Sequence, residues 1–264
     1  MQESGGRKCI FCGEPLRGRR AKEHVIPQWL LDHLAMRDHD LHLAVARTHD
    51  DAVVKDRSSV AANFVSGRVC YDCNNGWMQR LESKARPILT ELIEGTRSLF
   101  SISADERFLV ARWAAKTAYA LSHAAPLKKT PDPAHLRFLV DNSEGLASGV
   151  GVFAQQVTTR NTFANIQRNR WPVQTDNPLP DSASAGRYKI AMEFRHLMLL
   201  VAFWPLPRAH FLLLAGIHVP LWPVREWYPA YFDKVQSSAA EDSRSLLDKF
   251  CSHLGIVHER DQQP

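Results

Sequence analysis

Two cysteine pairs, Cys9-x-x-Cys12 and Cys70-x-x-Cys73, constrain this chain more than any other feature. Each pair places two thiolates on one tight turn, and two such turns supply the four soft ligands of a closed tetrahedral zinc site. Both lie in turn-like sequence, with Gly13-Glu14 after the first and Tyr71-Asp72 inside the second, which favours a shared metal over four unrelated thiols. The 57 residues between Cys12 and Cys70 exceed the roughly 15 to 20 of a compact zinc ribbon, so a substantial segment is inserted between the two turns.

The metal reading fits the rest of the composition. Of five cysteines only Cys251 stands outside the pairs, which argues against a secreted disulfide framework and for a reducing compartment. The polar stretch Met1 to Lys8 lacks the apolar segment of a signal peptide, and the expected location is cytoplasmic. The strongest apolar run, Leu197 to Trp204, falls far short of the roughly 20 residues a spanning helix needs. A length of 264 residues, 45% hydrophobic and 23% charged, suits a folded chain of two domains. The net charge of +5 leans toward an anionic partner such as nucleic acid.

Patterning along the chain predicts an α+β protein. Residues 1–97 hold the two cysteine pairs, and from Gly76 onward Trp77, Leu81, Ala85, Ile88 and Leu92 recur at helical spacing, with Pro87 expected to kink or restart the helix. Residues 98–264 form a second domain. Its helices span 103–146: Ser103-x-x-Glu106 is a capping box ahead of a buried helix reaching Pro126, and Asp132-Pro133 opens a shorter one. Runs from Val152, Thr162, Tyr188, Leu197 and Phe211 read as strands of one mainly antiparallel sheet over 150–220, with a loop over Arg170–Ala185. A last helix covers 239–254, and a polar tail follows.

Between the cysteine pairs lies Glu23-His24-Val25-Ile26-Pro27, an acid beside a histidine. A divalent-metal phosphodiesterase needs a base that titrates near neutrality and a hard oxygen ligand for magnesium or manganese, and these two residues supply both. Consecutive strand residues point to opposite faces, so the pair can approach one phosphate only at the end or edge of a strand, where a bend re-aims it. After the second cysteine pair, Asn74 and Asn75 either reach a cation with an amide oxygen or cap the helix that follows. Gly76 would let a nucleic-acid backbone approach closely.

The order Cys-x-x-Cys, Glu-His-Val-Ile-Pro, Cys-x-x-Cys-Asn-Asn-Gly resembles the zinc-containing HNH endonucleases of the ββα-metal, or His-Me finger, type over roughly residues 7 to 95. The resemblance implies a β-hairpin and helix gripping one Mg2+ or Mn2+ ion, with Cys9, Cys12, Cys70 and Cys73 on structural Zn2+. It implies His24 as general base, Glu23 as metal ligand, Asn74 or Asn75 as second ligand, and Asn63 as the residue orienting His24. The partner it implies is nucleic acid, DNA first, cut to 5′-phosphate and 3′-hydroxyl ends. Arg17, Arg19, Arg20 and Lys22 either grip phosphates or decorate a solvated hairpin tip.

A non-catalytic zinc-knuckle module that binds nucleic acid or a protein is the rival reading. Regulation by a partner or by self-association through the second domain, as in a host-defence effector, is left open. Asp38-His39-Asp40-x-His42 reads as a solvated insert, and Lys116 as a lysine reaching along a packed helix to solvent.

Overall fold

A computed structural model of the protein describes residues 7–16, 20–46, 53–124, 131–158, 162–168, 171, 173–174, 186–205, 209–213, 218–223 and 243–258. Helix and sheet are mixed, as the α+β pattern predicts. The first hairpin pairs β1 (Arg20–His24) with β4 (Val65–Cys70). The chain between them forms α1 (Gln28–His33) and the hairpin β2 (Asp40–Ala46) and β3 (Val53–Val60). After β4 come a single turn, α2 (Tyr71–Cys73), a π-helical stretch over Asn74–Met78, and α3 (Gln79–Ile93). The helix α3 continues through Pro87 without restarting.

The second half supplies α4 (Ala104–Ala124), α5 (Pro133–Asp141), β5 (Val150–Gln156), β6 (Phe163–Arg168), β7 (Val173–Gln174), β8 (Tyr188–Phe194), β9 (Leu197–Phe203), β10 (Ala209–Leu212), β11 (Val219–Trp222), α6 (Ser243–Ser252) and β12 (Gly255–His258). Helix α4 starts where the capping box places it: the Glu106 N–H reaches Ser103 Oγ at 3.2 Å, and the Ser103 N–H reaches Glu106 Oε2 at 2.8 Å. Asp132 caps α5 through the Ala134 N–H at 2.8 Å, with Pro133 in the first turn.

The main sheet runs β11-β5-β9-β8-β6-β2-β3, antiparallel from β11 to β6. Its last two strands come from the insert between the cysteine pairs. β2 runs parallel to β6, pairing Ala44 with Ile166 and Val45 with Gln167. The patterning of the insert gave no sign of this, because a hairpin's partner is set by what lies beside it rather than by its own sequence. Three features depart from the sequence pattern. The strand near Phe211 does not join the main sheet; β10 lies in a separate sheet of order β10-β12-β7. β12 forms where a polar tail was expected, and β7 lies inside the expected loop.

The central strands are apolar on both sides because both sides are covered. Along β8 and β9, Ile190, Met192, Phe194, Leu199 and Val201 enter one core cluster, while Ala191, Met198, Leu200 and Ala202 enter a second with Leu247, Phe250 and Leu254. The first cluster also takes in Val25, Leu30, Val69, Leu89 and Trp113, so apolar packing runs unbroken across position 97. Helix α4 is its axis: every residue from Trp113 to Ser122 is buried, which the alanines at 111, 114, 115, 118 and 120 permit by letting α3 and the sheet approach closely. The turn joining β8 to β9 docks on the end of α3, where the His196 N–H bonds the Ile93 carbonyl at 3.2 Å and Arg195 pairs with Glu94.

On the far face His218 is fully buried, stacked on Phe250 at 5.1 Å and donating from Nε2 to the Phe250 carbonyl at 2.8 Å. Burial lowers its pKa from 6.5 to about 4. The unfolded chain therefore binds the extra proton first as pH falls, and stability present above pH 6.5 is lost between there and pH 4. From pH 7.5 to pH 5 the loss from this residue is about 2 kcal/mol. Urea denaturation at the two pH values checks this: His218→Gln must show a smaller pH-dependent loss than the unaltered protein, and an equal loss refutes the assignment.

Candidate metal centre and catalytic cleft

The four cysteine sulfurs come together from the two ends of the β1–β4 hairpin. All lie within 4.8 Å of one another, and Cys12 Sγ is 3.7 Å from Cys70 Sγ. A tetrahedral zinc with bonds of about 2.3 Å requires sulfurs about 3.8 Å apart, so the spacing suits the ion. Main-chain N–H groups support the sulfurs: Cys70 donates to Cys9 Sγ and Cys73 to Cys70 Sγ, each at 3.4 Å. The Cys73 thiol, through its hydrogen bond to Cys9, brings the Cys9 pKa down to about 4. Burial pushes Cys12 up to about 11, and the bond to Cys9 pushes Cys73 up too. Four thiols this close favour one thiolate among protonated neighbours, and a divalent cation is what lets all four ionise together. Among the described residues no other group of three or more Cys, His, Asp or Glu side chains is placed to share a metal. Asp38 and His39 are exposed, and Asp40 and His42 fall on β2.

Glu23 and His24 close β1 at its C-terminal end. Pairing slips between Ala21↔Val69 and Glu23↔Ser66, so β4 advances three residues while β1 advances two. Such a bulge bends the ladder and turns the last residues of the strand. Both side chains line a cleft of about 490 Å³ whose opposite wall is the helical segment bearing Asn74, Asn75, Gln79 and Glu82. The Ala62 main chain lies beside the His24 ring and favours its protonated form, and Gln28 Nε2 lies 3.4 Å from both ring nitrogens. Burial, helped by the nearby Arg37 charge, lowers the His24 pKa and keeps the ring neutral at pH 7. Asn63 sits in the same turn as Ala62, exposed, and makes no described side-chain hydrogen bond to His24. The contact to the ring comes from the main chain beside it.

Neither asparagine caps the helix. The helical run begins at Tyr71, capped by the Cys70 sulfur, so Asn74 and Asn75 lie inside it. The Asn74 N–H bonds the Tyr71 carbonyl. Asn75 Nδ2 bonds that same carbonyl at 3.2 Å. The Asn74 amide makes no described side-chain hydrogen bond, which leaves it the better placed of the two for a ligand. At Gly76 the backbone leaves helical geometry, and a Cβ there would meet nothing within 4 Å, so the main chain is open to approach.

Two residues at the cleft were not singled out as site residues in the sequence. Glu82 lies on α3 in register with Asn75 and Gln79, at spacings of seven and three, and that periodicity was its available signal. Lys116 was expected to reach solvent. It is instead fully buried on α4, with Nζ 2.5 Å from both Glu23 Oε1 and Glu82 Oε1. Burial alone would lower the Lys116 pKa, but the two carboxylates outweigh it and raise it. Burial raises the Glu23 pKa against the pull of Lys116. Of the basic cluster, Arg17 and Arg19 lie outside the described residues, and only the backbones of Arg20 and Lys22 are described, on β1. No helix among the described residues is long and apolar enough to cross a membrane.

Metal analysis of the purified protein should find one zinc per chain, and Cys9→Ser with Cys73→Ser should abolish it and lower the melting temperature sharply. A double variant that melts like the unaltered protein would remove the structural role of the cluster.

Comparison with protein-family models, curated proteins and solved structures returns no match.

Proposed function

We propose that the chain is a metal-dependent endonuclease of the HNH, ββα-metal type that hydrolyses phosphodiester bonds in nucleic acid, with DNA as its first substrate. The observation that carries this reading is the convergence of Glu23 and His24, at the bulged end of β1, with Asn74, on the helix that follows β4, across one open cleft. Strand, strand and helix stand in the order the resemblance implies, with the four cysteines at the base of the hairpin.

Glu23 offers a carboxylate and Asn74 an amide oxygen, hard donors suited to magnesium or manganese. When bound there, such an ion supplies a Lewis acid for the charge that builds on the phosphate and the leaving oxygen. The chain's own contribution centres on His24. Its neutral ring takes a proton from water, the oxygen of that water bonds to phosphorus, and the bond from phosphorus to the 3′ oxygen breaks. That oxygen leaves with a proton from solvent. The Ala62 main chain and Gln28 flank the ring at the cleft. The open space at Gly76 and the positive net charge of the chain favour a polyanion.

One observation favours the rival, a zinc-knuckle binding module without catalysis: Glu23 is already engaged by Lys116. Plasmid cleavage with magnesium, manganese or chelator separates the two. The nuclease reading expects metal-dependent cutting that falls at least about a hundredfold in His24→Ala, with zinc content and fold unchanged. No cleavage in manganese, or full activity in His24→Ala, refutes it.

A further inference from the structure

Lys116 is an unusual residue to lie behind the carboxylates of a candidate cation site. Its ammonium has no access to water, and it lies 2.5 Å from one oxygen of Glu23 and 2.5 Å from one of Glu82. The lysine comes from α4, in the second half of the chain, whereas both carboxylates come from the first, on β1 and α3. Glu23 Oε1 is held by the lysine, and Oε2 makes no described hydrogen bond. The three charges sum to a single negative one.

We infer that Lys116 is a positioning residue, the resident counter-cation of the cleft, which fixes the Glu23 carboxylate against Glu82 and holds down the affinity of the site for a divalent cation. The inference rests on Glu23 being the cation's ligand in the function proposed above. A divalent ion on the free oxygen of Glu23 lies within a few ångströms of the ammonium and is repelled by it in a partly desolvated setting. The lysine holds one oxygen of Glu82 as it holds one of Glu23. With the ion in place the charges sum to one positive, which a phosphodiester with its one negative charge neutralises. The lysine therefore favours the assembled complex of metal and phosphate over metal alone.

The test is Mn2+ binding by calorimetry on the full-length, zinc-loaded protein. Glu82→Gln removes one negative charge and leaves the ammonium to Glu23 alone, and it must weaken Mn2+ binding at least about fivefold. Lys116→Met removes the positive charge and frees both carboxylates, and it must tighten binding at least about fivefold. The double variant must fall between the two. A lysine that merely supports the fold cannot give tighter binding on removal. Zinc content and circular dichroism report folding. If Lys116→Met does not fold, Glu82→Gln decides alone, because its side chain reaches the cleft surface. Unchanged or tighter binding in Glu82→Gln, weaker or unchanged binding in a folded Lys116→Met, or no Mn2+ bound by any variant overturns the inference. Mn2+ binding is read without cleavage, so a protein that shows these shifts and cuts nothing refutes the nuclease and leaves the counter-cation standing.

Discussion

A lysine ammonium sealed from water needs its charge answered, and in this protein the answer ties the two halves of the chain together. Lys116 lies at the centre of α4, the helix around which α3 and the main sheet pack, and its partners Glu23 and Glu82 come from the elements that build the cleft. Removing one member of such a buried pair costs about 3–5 kcal/mol, because the charge left behind has lost its water as well. The position of α4 is therefore coupled to the orientation of the carboxylate beside His24. Apolar packing alone would hold α4 against the sheet without specifying which turn faces β1.

The cysteine cluster does a different job. It joins the segment before β1 to the start of the helix after β4, across 57 intervening residues. Those residues do not sit idly between the two turns. Their β2–β3 hairpin leaves the cysteine cluster and becomes the edge of the main sheet beside β6. An exposed strand edge needs a partner, and lending a hairpin across the halves supplies one.

Where sequence reading succeeded, the signal was local. The capping box before α4, the Asp132-Pro133 start of α5 and the apolar runs of β8 and β9 each follow from hydrogen bonds or side-chain periodicity within a few residues. The cysteine cluster was legible for the same reason, since two tight cysteine turns carry their own geometry. Where it failed, the deciding contact was distant. The partner of β10 is β12, some 45 residues on. Lys116 reads as an ordinary helix lysine until two carboxylates from the other half arrive beside it. Asn74 looks like a helix cap until the Cys70 sulfur takes that place.

The sequence by itself determined the donors: four thiols in two turns, an acid beside a histidine, and asparagines at the head of a helix. Those are matters of chemistry and short-range spacing, which the chain carries wherever it goes. Only the tertiary structure decided which donors share a space. It brought the sulfurs within 4.8 Å of one another, set Glu23 and His24 against Asn74 across one cleft, and placed the Lys116 ammonium between two carboxylates. That choice belongs to packing, because the free energy of a buried charge depends on what surrounds it in space and not on what precedes it in the chain.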